Sequence, residues 1–531
     1  MASSPGVAPR RPCPSWYRAA AMPNGPGRLL LIAVAGMLLA LVGHLGLLLV
    51  GGVAGVGAPM AIEYGEPFIV SAAHNAASGG RLYAPVDDLP FLHNNYNPLV
   101  QLAVGPWLSS TGVSFVPLRA VTLISVLAIL GVAAWLIRRT TRSGVAAAIG
   151  GLLPLTCGFM FPWMCVGRVD AFATAASCAA FAWAVCHEHK PLRARAWFLL
   201  FAWVAFAAKQ SVVGGCGAAL LYGFLRGRRL ESLALGLVFT AGCGAFVGVA
   251  HLLTDGQHWL HAVTYNASHD RGGWWPQTLS PLELLQAIGW PLLLSLCWVA
   301  RAVRREDLPW MCWFAVTLPL GFLLVRKSGA HVHYFLEAVT ALSVLVTAVG
   351  SRIVTAARTP RSARFATVAL VAIALATIPG TFWSGPSTWR SGAWFKWAQA
   401  RELARLSDAA DPIPPDVRRR IEGTEFPPLL LAQTATVAIE CGRSAIFDVA
   451  DFARLQQLGR WDSAGLLALV AARRFPVVAI QDFGGDLETE ALFGLSAIAG
   501  LEGALEEHYV PLEQPYRDRR GKTGTFWVPK S

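Results

Sequence analysis

Apolar residues occur in long unbroken runs along this chain, and the polar residues between them are confined to short loops. A helix needs about 20 apolar residues to cross a bilayer. Runs of this kind centre near Leu38, Val126, Leu153, Ser177, Ala202, Ala218, Thr240, Pro291, Ala315, Leu342 and Ile373, which predicts about eleven transmembrane helices. Only AKQS separates the fifth run from the sixth. The first run, about Leu29 to Gly57, is too long for a signal-peptide core and has no clear cleavage site, so it is expected to remain as an anchor. Stretches such as GGCGAALLYG and AGCGAFVG suit close helix packing in lipid.

After about Trp383 the pattern changes. The apolar stretches become short and strand-like, LLLAQTATVAI at 429–439 and FPVVAIQDF at 475–483, with SAGLLALVAARR at helical spacing between them. The expected class is an α-helical polytopic membrane protein with a small C-terminal α/β domain. A basic N-terminal segment (1–27) precedes a membrane domain (28–384) with one large loop at 59–113, and the α/β domain follows at 385–531.

Charge gives this layout a direction. The 531 residues are 54% hydrophobic and 14% charged, against roughly 25% charged in soluble domains. The net charge of +12 comes from arginines clustered between apolar runs, and no basic face interleaved with aromatics points to nucleic acid. With RRPCPSWYR in the cytoplasm, every second loop should also be cytoplasmic: RRTTR (138–142), HEHKPLRAR (187–195), RGRR (226–229), RAVRRED (301–307) and the stretch holding Arg352, Arg358, Arg361 and Arg364. Each is rich in Lys or Arg and the intervening loops are poorer, as the positive-inside rule requires. The α/β domain then lies outside a plasma membrane. Most acids before residue 385 fall on the outer side: Glu63, Glu66, Asp87, Asp88, Asp170, Asp255, Asp270, Glu283 and Glu337.

Five polar clusters share that side. In IEYGEPFIVSAAHNAASGGRLYA (62–84), a helical wheel puts Glu63, Glu66 and His74 in one arc, opposite Phe68, Ile69, Ala72 and Ala76. This suits a helix lying in the membrane interface with its acids toward water or a cavity. CVGRVDAFA opens the fourth span with Arg168 and Asp170, and AKQS holds Lys209 and Gln210. HWLHAVTYNASHDRGGWWP carries the sequon residue Asn266, and RKSGAHVHYFLE brings Arg326, Lys327, His331, His333, Tyr334 and Glu337. Taken singly, each has a bland reading as solvated loop, helix cap or aromatic belt. A lipid-facing bundle has no reason to place all five on one side. The ten cysteines form no CxxC and no Cys/His cluster, so neither a zinc site nor a disulfide framework is indicated. No metal site is assigned, although two or three carboxylates at one site suffice to hold a divalent cation.

In order along the chain, YGE (64–66), GGRLY (79–83), NNYNPL (94–99), GRVD (167–170), KQS (209–211), YN (265–266) and YFLE (334–337) resemble motifs of bacterial polytopic glycosyltransferases of the GT-C superfamily. The group closest in pattern is the Rgt-type and protein-O-mannosyltransferase-like enzymes. The resemblance spans roughly residues 28–485, including the tail segment from AIECGRSAIFDVADFARLQQLGRW onward. Two positions depart from the pattern: Tyr96-Asn97-Pro98 stands for tyrosine-proline-proline, and His333 for an asparagine.

The resemblance implies transfer of a sugar from a polyprenyl-phosphate carrier in the membrane lipid to a hydroxyl of a glycan, lipid or protein acceptor. It implies Glu66 as general base, Glu63 as its reserve and Asp170 as second acid. Tyr64, His74, Tyr83, Tyr96, Arg168, Lys209, Gln210, Asn266, Arg326, Lys327, His333, Tyr334 and Glu337 are the expected substrate-binding residues. The chemistry is consistent: a phosphate leaving group needs no general acid, an acceptor hydroxyl needs a base, and phosphate charge needs cations in reach. The rival reading is a multi-pass transporter or lipid flippase, which would also use ionisable residues around an outward cavity. Transporter folds, however, commonly carry internal repeats, and none is visible here.

Overall fold

The computed structural model describes residues 26–157, 163, 165–188, 192–267, 290–325, 332–356, 364, 366–369, 371, 373, 401–406, 411–430, 435–481, 494–513, 515–517, 519 and 523–531. Its membrane part is a bundle of helices. The elements are α1 (Pro26–Gly57), α2 (Glu66–Ala77), α3 (Leu99–Thr111), α4 (Val116–Thr141), α5 (Gly144–Leu152), α6 (Asp170–Cys186), α7 (Leu192–Ala208), α8 (Gly214–Leu225), α9 (Arg229–Leu253), α10 (Trp290–Val299), α11 (Leu308–Leu324) and α12 (Leu336–Ala356).

Among the described residues, five helical stretches are long and apolar enough to cross a membrane: 28–57, 116–141, 229–253, 305–324 and 332–356. The run containing α12 is 94% buried and that of α9 only 6%, so α12 is the central column and α9 faces outward. The helices at the other expected centres are shorter. α8 has 12 residues and α10 has 10, and at 1.5 Å per residue neither alone crosses a core of about 30 Å. The fifth and sixth runs are separate helices, because α7 stops at Ala208 before Lys209 and α8 restarts at Gly214. Most residues around Ile373 lie outside the described residues.

The bundle has two chemically different ends. Arg139, at the end of α4, donates to the carbonyl of Cys186 at the end of α6. Arg195, Arg228 and Glu231 pair nearby, and Arg352 binds Asp307 with both terminal nitrogens. The opposite end holds the start of α6, the turn after α7 and the start of α12, where the acids Asp170 and Glu337 sit.

The loop 59–113 is largely helical, and here one expectation is corrected. α2 does not lie in a membrane interface. Glu66 through Ala73 are buried without a break. Phe68 and Ala72 pack with tail residues Val417, Ala435 and Phe526, while Ile69, Val70 and Ala73 pack with Val100, Val104 and Val169 of the bundle side. Both faces of α2 are thus covered by protein. Its approach to α3 is close at Gly105, where a Cβ would sit 3.0 Å from the Ala73 carbonyl oxygen.

The tail contains a five-stranded sheet with helices. α13 (Pro415–Glu422), β1 (Leu429–Leu430), α14 (Ala435–Glu440), α15 (Val449–Gln457), α16 (Ala464–Ala471), β2 (Val478–Gln481), α17 (Leu501–His508), β3 (Tyr509–Pro511), β4 (Tyr516–Arg517) and β5 (Thr523–Pro529) follow in order. β2 pairs parallel to β1 and antiparallel to β5, with Ala479 opposite Phe526. β3 and β4 both pair antiparallel to β5. Of the strand expected at 429–439, Leu429 and Leu430 form β1, 431–434 lie outside the described residues, and Ala435 onward is helical in α14; there Ala435, Val437, Ala438 and Ile439 are all buried, a packing that alternation on a strand cannot supply.

Candidate active site

The site begins with two acids three residues apart that have opposite surroundings. Glu66 heads α2 and is fully buried. Its Oε1 accepts from Arg119 Nε at 2.9 Å and from the Gly167 amide. Its Oε2 accepts from Arg119 Nη2 at 2.8 Å, Ile62 N at 2.5 Å and Glu63 N at 3.2 Å. A carboxylate offers about four acceptor positions, so these five donors leave none for a substrate. Arg119 gives its remaining N–H groups to the carbonyls of Gly55, Ala58 and Met60 at the end of α1. Burial alone would raise the Glu66 pKa. The Arg119 charge and hydrogen bonds, with the Gly167 and Ile62 amides, outweigh it and hold the group below the ordinary glutamate range. In this geometry Glu66 ties α1, α2, α4 and the turn before α6 together, and its acceptor positions are filled by protein donors.

Glu63 lies at the edge of the site. Its side chain is 24% exposed, against 6% for Asp170. Arg168 bridges these two acids, donating from Nη1 to Glu63 Oε2 at 2.9 Å and from Nε to Asp170 Oδ2 at 3.2 Å, and from Nη2 to the Tyr96 hydroxyl. The Gly65 amide also donates to Glu63 Oε2, at 2.9 Å. On its other side Asp170 Oδ1 accepts from Lys209 Nζ and lies 3.1 Å from His333 Nε2. Asp170 is the first residue of α6, where the helix dipole favours an anion. The Lys209 ammonium sits 4.1 Å from the Tyr334 ring centroid, and the His333 ring lies 4.4 Å from the Trp163 ring, tilted 51° to it. Glu63, Tyr96, Arg168, Asp170, Lys209, His333 and Tyr334, which come from five sequence segments, thus form one contiguous cluster.

Two spaces flank it. Glu63, with Tyr64 and Pro67, lines a cleft of about 470 Å³ whose opposite wall is Thr436, Glu440, Tyr516 and Arg519 of the tail. Asp170, His333, Tyr334 and Glu337 line a second, narrow space among the helices, walled also by Leu320 and Leu324.

The other expected residues hold the frame. The Tyr64 hydroxyl donates to Asp448 Oδ1 of the tail at 2.5 Å. Burial, then the Asp448 charge, pushes the Tyr64 pKa well up, and burial with the Asp451 charge does the same to Asp448. His74 Nδ1 lies 3.1 Å from Ser444 Oγ, and burial lowers its pKa. Tyr83 donates to the Tyr96 carbonyl at 2.6 Å. Gln210 Nε2 bonds the carbonyls of Asn95 and Ala262, and Asn266 Nδ2 bonds the same two. Both departures from the resembled motifs have visible partners: Asn97 donates to the Phe206 carbonyl and meets His258 Nε2, and His333 faces Asp170. Arg326 and Lys327 lie outside the described residues.

Sequence reasoning missed Arg119, although an arginine in an apolar run costs enough in lipid to imply a partner. It also missed the histidine knot under the loop. There His93 Nδ1 lies 3.0 Å from Asp451 Oδ2, and the Asn94 amide donates to His261 Nδ1. Burial, then the His93 charge, pushes His261 down to about 3. Among the described residues, no group of three or more His, Cys, Asp or Glu is arranged to hold a metal ion; the position between Glu63 and Asp170 is taken by the Arg168 guanidinium.

The arrangement of helices and tail recurs in solved membrane proteins. ArnT from Cupriavidus metallidurans, in its structure bound to undecaprenyl phosphate, matches with a TM-score of 0.58 over 91% of this chain and 97% of that one, at 14% identity. The chain shares the fold of ArnT. ArnT in the apo state matches equally, at 0.58 and 13% identity over 90% and 96% of the two chains. The apo oligosaccharyltransferase of Archaeoglobus fulgidus matches at 0.50 and 11% identity, over 92% of this chain and 74% of that one. No protein-family model matches the sequence, and no curated protein matches it. At these identities the likeness is one of fold, and with the five long apolar helices it makes this a membrane protein.

Proposed function

We propose that this chain is a glycosyltransferase that moves a sugar from a polyprenyl-phosphate donor to an acceptor hydroxyl at the outer face of the plasma membrane. The observation that carries the reading is the Arg168 bridge. It couples an acid open to the tail-side cleft, Glu63, to an acid open to the helix-side cavity, Asp170. A lipid-linked donor would enter from the helix side, past Leu320 and Leu324, and an acceptor from the side of the tail. ArnT is known bound to undecaprenyl phosphate, and a lipid of that class is the donor carrier proposed here. The basic loops gathered at the opposite end support placing the site outside the cytoplasm, with the N-terminus inside and the tail outside.

In the proposed step the acceptor oxygen attacks the anomeric carbon and the bond from that carbon to the phosphate oxygen breaks. The bonding electrons leave with the lipid phosphate, and the acceptor proton passes to Glu63. Both hydrogen bonds to Glu63 fall on Oε2, which leaves Oε1 for the substrate hydroxyl. Lys209 and Arg168, held in place by Asp170, supply positive charge where the phosphate gains negative charge. The alternative, a transporter or flippase, would use the same charges but would leave the donor intact. Purified protein in liposomes, given labelled polyprenyl-phosphate sugars, separates the two. Covalent transfer to an acceptor supports the enzyme, and passage of unbroken donor across the bilayer refutes it.

A further inference from the structure

At the end of the bundle opposite the candidate active site, the ends of α6 and α8 and the starts of α7 and α9 border a groove. Ala194, Phe198, Leu220 and Leu235 give it an apolar floor, and Glu188, Arg195, Arg228 and Glu231 line it as well. Phe198 is buried, whereas the side chains of Arg195 and Arg228 are 38% and 31% exposed. α8 and α9 meet closely here: at Gly223 a Cβ would fall 2.6 Å from Ser232 Oγ. Arg195 donates from Nε to Glu231 Oε1 at 2.8 Å. Arg228 donates from Nη1 to the Glu188 carbonyl at 2.9 Å. Its approaches to the Glu188 and Glu231 carboxylates, at 3.8 and 3.9 Å, are too long for hydrogen bonds, and Glu188 Oε2 accepts instead from the Tyr222 hydroxyl at 2.9 Å. Among the described residues, both terminal nitrogens of Arg195 and Nη2 of Arg228 therefore have no acceptor. Arg193, Arg226 and Arg229 are exposed in the same corner, so its arginines outnumber the two carboxylates, Glu188 and Glu231. Orientation by positive charge needs arginines in these loops. It does not need an apolar floor beneath two guanidinium groups with unused donors.

We propose that this groove binds an anionic phospholipid of the adjoining leaflet, with Arg195 and Arg228 bridging its phosphodiester at the mouth. Guanidinium groups suit the task because their paired N–H donors match phosphate oxygens. Basic pockets between transmembrane helices at the membrane surface hold headgroups of this kind. The phosphate rests at the mouth, between side chains that are already part exposed, so no enclosed volume is required. The acyl chains lie on apolar surface: Trp197 and Leu200 of α7 are 40% and 44% exposed. A free phosphate ion has no chain to use that surface, which favours the lipid over a soluble anion. Glu231 holds Arg195 by Nε and leaves its terminal nitrogens for the ligand. The Glu231 charge also repels a phosphate there, which sets the direction of one variant below.

The test is native mass spectrometry of the full-length protein released from nanodiscs. The discs hold equal parts of phosphatidylcholine and phosphatidylglycerol with the same acyl chains. An arginine near anionic lipid contributes about fivefold, so the wild type should retain phosphatidylglycerol over phosphatidylcholine by about tenfold or more. Arg195→Gln combined with Arg228→Gln should abolish the preference. Arg138→Gln combined with Arg142→Gln removes the same charge at the end of α4, outside the groove, and should leave the preference unchanged. Glu231→Gln should strengthen it, which a loss of folding cannot do. The proposal is overturned if the wild type shows no preference, or if the two double variants lose it equally. It is overturned also if Glu231→Gln weakens the preference, or if inorganic phosphate displaces the lipid completely.

Discussion

Replacing Glu66 with glutamine separates a structural role from a catalytic one. In the fold this carboxylate receives five donors, two of them from Arg119, and both side chains are fully enclosed. Glutamine keeps one acceptor oxygen and turns an N–H₂ toward groups that are themselves donors. The Arg119 charge then remains buried, with only the carbonyls of Gly55, Ala58 and Met60 as partners. Breaking a buried pair on one side costs about 3–5 kcal/mol, a large part of the roughly 5–15 kcal/mol that keeps a domain folded. Arg119→Met should cost a similar amount, and the double variant should cost less than the sum by about 2–3 kcal/mol, as expected for residues in contact. The assay is unfolding of purified protein in nanodiscs, followed by tryptophan fluorescence, with sugar transfer measured on the fraction still folded. A Glu66→Gln protein with wild-type stability and no transfer would refute this reasoning and restore Glu66 as the base.

The Glu66 pKa lies below its ordinary value of 4.5, so its stabilisation is complete above that pH and is lost as pH falls through the lower folded value; an acid titration of Glu66→Gln against wild type should show the gap closing below about pH 4.5. Glu63→Gln should fold normally and lower kcat by about 10²–10⁴-fold, the usual range for loss of a general base; a change in KM alone would contradict the assignment. Asp170→Asn frees Lys209 and Arg168 from their anchor and should lower kcat by about 10²–10³-fold, read on the fraction still folded, because this pair is buried too and its loss also costs stability. Gly215→Ala would put a Cβ 2.1 Å from the Ser177 carbonyl oxygen, forcing α6 and α8 apart at a cost of at least about 1–3 kcal/mol; a Tm equal to wild type would show that this contact is not tight.

The acids and bases of the site were legible because polar residues in apolar sequence are expensive. GRVD, KQS and YFLE each interrupt a run that would otherwise continue, and the fold brings Arg168, Asp170, Lys209, His333 and Tyr334 together. Which of Glu63 and Glu66 faces a substrate was not legible. The answer depends on Arg119, 53 positions downstream of Glu66, and a helical wheel carries no information about that partner. The same limit explains α2: its polar arc suggested a surface helix, but the tail, more than 300 residues later in the chain, covers one side of it. Helix lengths were blurred too. AKQS marked the break between the fifth and sixth runs, but hydropathy did not show that the second of them forms a helix of only 12 residues, from Gly214 to Leu225.

The central claim is that the bond between sugar and lipid phosphate is broken at the Glu63–Arg168–Asp170 cluster. Mass spectrometry of the lipid fraction measures this directly, after purified protein is incubated with undecaprenyl-phosphate hexose or pentose and an extract of cell-envelope acceptors. The account predicts release of bare undecaprenyl phosphate in step with glycosylated product, with both reduced together in Glu63→Gln and Asp170→Asn. Release at the wild-type rate in both variants, or donor that stays intact with every sugar tested, would contradict it.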